Sequence, residues 1–447
     1  MGSQLIQDPA SELRLLQQRV ARHNNCANDD HHKMKESKLS DTGYDWQQIF
    51  ATRAGRICAS EIRELLKILD QPGMISFAGG IPDPALFPVD AISAAYDRLF
   101  RDPARARQAL QYSISEGYLP LRENIARYMA NLGVTCHADN ILITNGSQQG
   151  LDFIGKVFIS PKDSVLVAAP TYLGALQAFN AYESSYATLD MNDLNADKYR
   201  QDGAKAGGRL KFAYVVPDFA NPSGQTLTRE SRESLLKLTG ELNIPLVEDA
   251  AYSELRYDGE RVPPIQAIES AGRPIDQCRT IYCGTFSKTY APSLRIGWIC
   301  ASRPLISKLV LIKQGSDLIN STINQIVMNE LLQAGMQERV NVICPVYRQR
   351  RDRMLQMLKA KMPPGVTWTT PEGGMFIWVT LPKELDGAQL LQTALREARV
   401  AFVPGSSFYA NEKVRNTMRL SFSLASDAEI ENGVTRLANI IQAATGH

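Results

Sequence analysis

One stretch of the sequence combines an amine with several side chains suited to binding phosphate. Lys288 lies among the hydroxyls of Thr285, Ser287 and Thr289, and Arg295 follows shortly after. Hydroxyls donate hydrogen bonds to phosphate oxygens, and a guanidinium donates to two oxygens at once. The positive charge of Arg295, with partial burial, is expected to lower the pKa of Lys288 and leave an unprotonated amine that attacks carbonyls.

A phosphate site and a Schiff-base amine in one loop together indicate pyridoxal 5′-phosphate (PLP). The phosphate of this cofactor suits the hydroxyls and the guanidinium, and its aldehyde reacts with a lysine. A solvated lysine and a surface arginine on a Ser/Thr-rich turn explain this stretch equally well when it is taken alone, because short motifs arise by chance. The choice therefore depends on the rest of the chain.

The composition excludes several classes of protein. The chain has 447 residues, of which 44% are hydrophobic and 21% charged, and its formal net charge is +2. These values are typical of a globular protein with two or three lobes, without the basic field of a nucleic-acid-binding protein. No apolar run approaches the roughly 20 residues of a membrane span. The seven scattered cysteines contain no CxxC pair, so we expect reduced thiols in the cytoplasm and no metal site.

Alternating strand and helix patterns predict where the polar side chains lie. Such a pattern is typical of an α/β fold with a mostly parallel central sheet and helices on both faces, in which ligands bind at the carboxyl ends of the strands. Tyr172, Asn221, Asp249 and Lys288 all follow strand ends, so we expect them to lie close together. Glu248 points to the opposite face of a regular strand, and we assign it no role.

A second turn in the sequence suits an anion. Residues 140–159 are predicted to form a short strand (ILIT), a turn (NGSQQG) and a helix, with Ser147 and Gln148 at the start of the helix. Free backbone N–H groups and the helix dipole favour an anion there. Taken alone, a routine strand-to-helix turn is the favoured interpretation. The turn is neither a GxGxxG dinucleotide fingerprint nor a Walker loop.

The pattern divides the chain into four regions. Residues 1–43 are polar and charged and are expected to form a mobile extension. Residues 44–92 are assigned to an N-terminal arm and part of a small domain, and residues 93–318 to a large PLP-binding domain. Residues 319–447 are assigned to a smaller α+β domain, which begins with a long helical tract over roughly 320–360.

An ordered set of motifs resembles a known family, the fold-type I PLP-dependent aminotransferases of class I/II. The matching motifs are Asn221-Pro-x-Gly, Asp249-x-x-Tyr252, Ser287-Lys288, Arg295 and Arg419. The loop ISFAGGIPDPALFP resembles more particularly the branch of 2-aminoadipate and kynurenine aminotransferases. The resemblance covers about residues 45–445, and it implies the PLP-dependent transferase fold of type I.

The resemblance implies a role for each residue that would contact the cofactor ring. Lys288 would form the Schiff base with PLP and, once released, would move a proton of the substrate. Asp249 would keep the ring nitrogen protonated, which makes the ring an electron sink. Tyr252 and Asn221 would hydrogen-bond the ring hydroxyl, and Tyr172 would stack on the ring.

The resemblance also implies residues that hold the phosphate and the substrate. The phosphate would be bound by Ser147, Gln148, Ser287 and Arg295. Arg419 would bind the α-carboxylate of an amino acid, with Asn221 beside it, and the backbone of Gly80 would line the substrate entrance. Tyr112 matches a tyrosine that reaches the phosphate across a dimer interface, so the resemblance implies a homodimer with shared active sites.

These assignments predict a PLP-dependent aminotransferase. It would move the amino group of an L-α-amino acid, of the aminoadipate, aromatic or branched-chain type, to a 2-oxo acid such as 2-oxoglutarate in a ping-pong reaction. Another PLP chemistry on the same scaffold, such as a decarboxylase or C–S lyase, stays open because the outcome depends on which Cα bond lies perpendicular to the ring. A non-enzymatic PLP-binding sensor domain is the third alternative. No nucleic-acid or membrane partner is expected.

Overall fold

The strands at the centre of the protein are short apolar segments that are buried along most of their length. The computed structural model describes residues 46–57 and 73–446. β-Branched and aromatic side chains, which favour extended backbone, are frequent in these segments. In chain order the strands are β1 (Ile75–Ser76), β2 (Ile141–Thr144), β3 (Ser164–Ala168), β4 (Ser185–Leu189), β5 (Leu210–Val215), β6 (Leu246–Asp249), β7 (Thr280–Thr285), β8 (Gly297–Cys300), β9 (Thr367–Trp368), β10 (Phe376–Thr380), β11 (Val400–Ala401), β12 (Val403–Pro404) and β13 (Thr417–Ser421).

Side-chain caps mark the start of several helices. The Thr228 hydroxyl accepts the N–H of Ser231, and Ser426 and Glu429 form a reciprocal capping box. In chain order the α-helices are α1 (Val89–Arg101), α2 (Pro103–Leu110), α3 (Leu119–Asn131), α4 (Ser147–Phe158), α5 (Leu173–Asn180), α6 (Ala196–Ala204), α7 (Arg229–Leu242), α8 (Ile265–Ser270), α9 (Arg303–Gln314), α10 (Thr322–Gln333), α11 (Met336–Lys361), α12 (Gly387–Thr393) and α13 (Asp427–Thr445).

Seven strands form the central sheet, in the order β2-β8-β7-β6-β5-β3-β4. Neighbours from β4 to β7 are parallel, and β8 pairs antiparallel with both β7 and β2. Successive side chains pack on opposite faces: Ile281 belongs to one apolar cluster and Tyr282 to another. Both faces are therefore buried, which confirms the mostly parallel sheet that the sequence predicts.

A second, smaller sheet carries the remaining core. Its four antiparallel strands have the order β12-β13-β10-β9, and the long helix α11 packs against α13 in this part of the chain. β1 pairs with β11, which joins residues near the start of the described chain to this region. The smaller sheet domain is confirmed, and the boundaries at residues 92/93 and 318/319 stay predictions.

The helical tract that the sequence predicts over roughly 320–360 is helical along most of its length. It consists of two helices, α10 and α11, separated at Gly335, whose φ of +113° interrupts the helix. Glycine adopts this backbone conformation without a steric cost, so the chain can turn there. The predicted extension over residues 1–43 lies outside the described residues. Within 46–57 and 73–446, no helix has the length and apolar character needed to cross a bilayer.

Candidate active site

The carboxyl ends of parallel strands bring the predicted ring-binding residues to one edge of the central sheet. Asp249 is the last residue of β6, Asn221 follows β5, and Lys288 lies just past β7. Asn221 Nδ2 donates to Tyr252 Oη (3.3 Å), and Asn221 Oδ1 accepts from Arg419 Nη1 (2.8 Å). The structure therefore gathers residues that are far apart in the sequence, including one from the smaller sheet.

Lys288 is held in the environment of a reactive amine. Its Nζ donates to the carbonyl oxygen of Gly80 (3.1 Å) and lies 5.7 Å from the centre of the Tyr252 ring. Burial, followed by the positive charges of Arg419 and Arg295, lowers the pKa of Lys288 to about 8. The sequence predicted the effects of Arg295 and of burial. The larger effect of Arg419 depends on the approach of the smaller sheet.

Asp249 is a buried carboxylate in which one oxygen accepts a side-chain hydrogen bond and the other has no partner among the described residues. Its side chain belongs to a residue only 2% exposed, and Oδ2 accepts from the hydroxyl of Tyr214 (2.8 Å). Among the described residues, Oδ1 has no hydrogen-bond partner. Burial raises the pKa of Asp249 to about 6, against the opposing effects of Tyr214, the N–H of Ala251 and Lys288. A protonated ring nitrogen is the kind of donor that Oδ1 lacks.

Tyr214 is a site residue that sequence reasoning missed. It lies on β5 opposite Val247 of β6, on the same face of the sheet as Asp249. A tyrosine in an otherwise apolar buried strand needs a partner for its hydroxyl, and this was the available signal. Glu248 faces the other side, as expected, where its carboxylate accepts the N–H groups of Ile265 (2.8 Å) and Gln266 (2.9 Å).

Arg419 presents a buried guanidinium from β13. Its Nη2 donates to the carbonyl oxygen of Ala78 (2.7 Å), and within the described part of the chain its Nε has no partner. The guanidinium carbon lies 4.3 Å from the centre of the Phe376 ring and 5.2 Å from that of Phe408. Burial lowers the pKa of Arg419 to about 10, so a carboxylate would be a favourable partner.

Gly80 belongs to a tightly held loop between β1 and α1. A Cβ at Gly80 would lie 2.6 Å from the Phe376 ring, so the close approach requires glycine. The hydroxyl of Ser423 donates to the carbonyl of Ile81 (2.7 Å), and Arg350 forms an ion pair with Asp83 (2.7 Å). The loop is thereby fixed with its backbone against the site, which is the arrangement expected of Gly80.

Tyr172 and Gln148 are placed together beside the turn that opens α4. The hydroxyl of Tyr172 donates to Gln148 Oε1 (3.4 Å), and Gln148 Nε2 donates to the carbonyl of Gly174 (2.7 Å). These bonds orient the aromatic ring for which the family resemblance predicts stacking on the cofactor.

The predicted phosphate residues lie around the start of α4. Gly146, with φ of +75°, precedes Ser147, and a Cβ on this glycine would come within 2.6 Å of Arg295 Nη2. Ser287 Oγ accepts from Thr285 Oγ1 (2.9 Å). Thr285 pairs with Gly297, and a Cβ at Gly297 would lie 2.7 Å from Ser147 N, so the two turns are packed together.

Tyr112 is placed differently from the other predicted residues. It is 77% exposed, and its backbone N–H is bonded to Gln111 Oε1 (2.9 Å). Its contact with a phosphate across a dimer interface stays a prediction.

Comparison with known proteins decides the family. The family model described as aminotransferase class I and II matches residues 74–437. The chain belongs to the class I and II aminotransferases.

Individual relatives cover nearly the whole of this aminotransferase. It is 41% identical over 417 residues to aromatic-amino-acid aminotransferase 1 of Thermococcus litoralis, which is 92% of this chain and 98% of that protein. A kynurenine aminotransferase of Pyrococcus horikoshii, solved with PMP, kynurenine and product, superposes with a TM-score of 0.82 at 40% identity, covering 90% and 98% of the two chains. The α-aminoadipate aminotransferase of Thermus thermophilus, solved with N-(5′-phosphopyridoxyl)-L-leucine, gives 0.80 at 39%, covering 90% and 100%.

These similarities establish the reaction class and the cofactor of the aminotransferase. The fold is that of the type I PLP-dependent enzymes, the cofactor is PLP, and the reaction is amino-group transfer. These relatives, each about 40% identical to the chain, support amino-group transfer and not the alternatives of another PLP chemistry or a sensor domain. When bound, PLP supplies an aldehyde that reacts with amines and a ring that withdraws electrons.

Proposed function

We propose that this aminotransferase takes the amino group of aminoadipate-type, aromatic or branched-chain L-α-amino acids and passes it to a 2-oxo acid such as 2-oxoglutarate. The observation that carries the proposal is the arrangement of three charged side chains, Lys288, Asp249 and Arg419. The last two affect the pKa of Lys288, and each has a buried polar atom without a partner among the described residues. One oxygen and one N–H are thus available for two different parts of a ligand.

The cofactor residues are proposed as follows from the chemistry of their side chains. Asp249 Oδ1 holds the proton of the ring nitrogen, and Tyr252 and Asn221 bind the ring hydroxyl. Tyr172 lies against the ring. The phosphate is bound by Ser147, Gln148, Ser287 and Arg295. Lys288 Nζ, with a pKa of about 8, is suited to accept a proton from the substrate Cα and return it.

The substrate range is proposed from the relatives and from Arg419. Arg419 binds the α-carboxylate that every α-amino acid carries, with Asn221 orienting its guanidinium at 2.8 Å and the Gly80 loop lining the entrance. Similar proteins are named for aromatic amino acids, kynurenine and aminoadipate. We therefore expect several of these amino acids to be substrates.

We also propose a homodimer with shared active sites, located in the cytoplasm. Exposed apolar side chains surround Tyr112, namely Leu110 (66% exposed) and Ile114 (53%), and such patches commonly form interfaces. The described cysteines are free thiols, which suits a reducing compartment. Light scattering should give twice the mass of the chain, and a fully active monomer would contradict the shared site.

The half-reaction tests the proposed function. Purified holoenzyme is mixed with aminoadipate, kynurenine, phenylalanine or leucine, without any 2-oxo acid. We expect loss of the visible absorbance of the bound cofactor, growth of a near-ultraviolet band, and release of the matching 2-oxo acid, all reversed by 2-oxoglutarate. A visible band that persists while carbon dioxide or ammonia is released would refute amino transfer. Turnover of a single amino acid would refute the proposed range.

Replacing Tyr214 with phenylalanine should change the pH dependence of the enzyme. The hydroxyl of Tyr214 donates to the ionised form of Asp249 and so lowers its pKa against the effect of burial. Without this bond the pKa of Asp249 rises, and the acid limb of kcat/KM moves upward by about one pH unit. Tyr282→Phe, at a buried tyrosine on the other face of the sheet, is the control. Superimposable profiles for the Tyr214 variant and the wild type would contradict the prediction.

Replacing Arg419 with lysine should weaken every substrate alike. Lysine keeps the positive charge but lacks the planar guanidinium, whose several N–H groups can donate to a carboxylate, to Asn221 and to Ala78 at the same time. We expect kcat/KM to fall about 30-fold for each amino acid, mainly through KM. A steady-state panel measures this, with Arg101→Lys, at an exposed arginine, as the control. A loss confined to one amino acid would mean that Arg419 recognises the side chain instead.

A further inference from the structure

We propose that Asp317 is a positioning residue that holds the phosphate-binding turn, defined as residues 145–149, in its working geometry. Asp317 lies in the loop between α9 and α10, outside the sequence motifs that resemble the aminotransferase family. The inference rests on the proposed function, because the assignment of the phosphate to this turn is part of it.

The carboxylate of Asp317 is the meeting point of three donors. Lys313 Nζ lies 2.9 Å from both of its oxygens. Asn145 Nδ2 donates to Oδ2 at 2.6 Å, and Gln149 Nε2 donates to the same oxygen at 2.8 Å. Two of the three donors are therefore side chains at the two ends of the phosphate-binding turn.

The ion pair anchors Asp317 to the core. The side chain of Lys313 is completely buried, and its ammonium lies 6.0 Å from the centre of the Phe153 ring on α4. A buried ammonium requires a close counter-charge, so Asp317 is kept next to the packed helices α9 and α4. The turn is thereby tied to a rigid part of the protein.

The same two amide side chains also set the shape of the turn. The N–H of Asn145 donates to Gln149 Oε1 (2.8 Å), and the carbonyl oxygen of Asn145 accepts from Arg295 Nη2 (2.6 Å). Arg295 is so close that a Cβ at Gly146 would collide with it. A displacement of Asn145 therefore moves both the guanidinium and the N–H groups at the start of α4.

Asp317 does not act on the phosphate through its negative charge. A carboxylate repels phosphate, but the ammonium of Lys313 at 2.9 Å compensates it. With its charge compensated, the Asp317 carboxylate acts as a fixed hydrogen-bond acceptor for the side-chain amides of Asn145 and Gln149. The expected effect is accordingly on the phosphate of the cofactor and not on its ring.

Two probes that differ only in the phosphate test this inference. The full chain, freed of cofactor, is titrated with PLP and with pyridoxal, and binding is followed by protein fluorescence. In Asp317→Asn the ion pair with Lys313 is lost and an N–H₂ group replaces one of the two oxygens that the three donors share, so we expect the dissociation constant for PLP to rise at least about tenfold. The constant for pyridoxal should stay within about twofold of the wild-type value. The double variant Lys313→Met/Asp317→Asn, which removes the uncompensated ammonium, should give the same result if the single variant folds poorly.

Asp276 offers a matched control at the other end of α9. Its carboxylate also accepts several bonds, from the N–H of Arg303 (2.9 Å) and from Asn140 Nδ2 (3.1 Å). Asp276→Asn should leave both dissociation constants unchanged. Equal weakening of PLP and pyridoxal in the Asp317 variants, or no weakening of either, would overturn the positioning role. Equal affinity of the wild-type chain for both probes would instead overturn the proposed phosphate residues, and this inference with them.

Discussion

Replacing Lys288 with alanine is expected to abolish amino transfer, with a loss of at least about 10⁴-fold in kcat. The variant lacks both the amine that reacts with the cofactor aldehyde and the base that moves the substrate proton. The release of 2-oxo acid from single turnovers measures the loss. Alanine at the exposed Lys308 serves as the control for a lost lysine elsewhere.

The same variant should keep its fold, and its stability reports on the pKa. Folding lowers the pKa of Lys288 from 10.5 to about 8. The charged amine is thus less favourable in the folded chain than in the unfolded chain. At pH 7 this costs about 3 kcal/mol, and the cost disappears as the pH rises from about 8 to 10.5. We expect the cofactor-free variant to melt no lower than wild type at pH 7. Covalent attachment of cofactor to the variant after borohydride reduction would show that another lysine is the reactive one.

Replacing Asp249 with asparagine should be the second most damaging change, with an expected loss of about 10³-fold in kcat/KM. Asparagine preserves the shape and the bond from Tyr214 at 2.8 Å, but a neutral amide cannot hold a proton on a ring nitrogen. The result should appear in kcat, because the charge acts on the reacting system more than on the bound substrate. Steady-state kinetics at saturating cofactor measure it.

Glu248 is the natural control for Asp249, since it is the adjacent carboxylate on the opposite face. It accepts two backbone N–H groups at the start of α8. Glu248→Gln should therefore lower the free energy of unfolding by about 1–2 kcal/mol while changing kcat less than threefold. A loss of rate in Glu248→Gln comparable to that in Asp249→Asn would contradict the assignment of the ring contact to Asp249.

The positions of Asp249 and Lys288 could be predicted because they follow from local patterns. Each comes after an apolar strand, and parallel strands end at one edge. Tyr214 could not be predicted in the same way. Its partner depends on β5 and β6 being neighbours, which is a property of strand order and not of either segment.

Asp317 and Arg419 could not be identified as site residues from their local sequence alone. Arg419 is predictable only through resemblance to a family, because a lone arginine in a strand carries no chemical signal of its own. Asp317 lies four residues after Lys313, a spacing that a surface helix uses for ordinary ion pairs. Only the packing of α9 against α4 distinguishes this ion pair from a solvated one. Packing between segments that are distant in sequence cannot be predicted from a local pattern of residues.

The loop at residues 78–80 provides backbone carbonyl groups that accept hydrogen bonds from both Arg419 and Lys288. Ala78 offers its carbonyl to Arg419, and Gly80 offers its carbonyl to Lys288. Carbonyl groups accept hydrogen bonds but carry no net charge. A carboxylate that binds Arg419 therefore replaces a neutral partner with a charged one, and no ion pair has to be broken. Arg419 therefore keeps its charge available for the carboxylate of an incoming amino acid. We expect this end of the amino acid to be bound by the same contacts whatever its side chain.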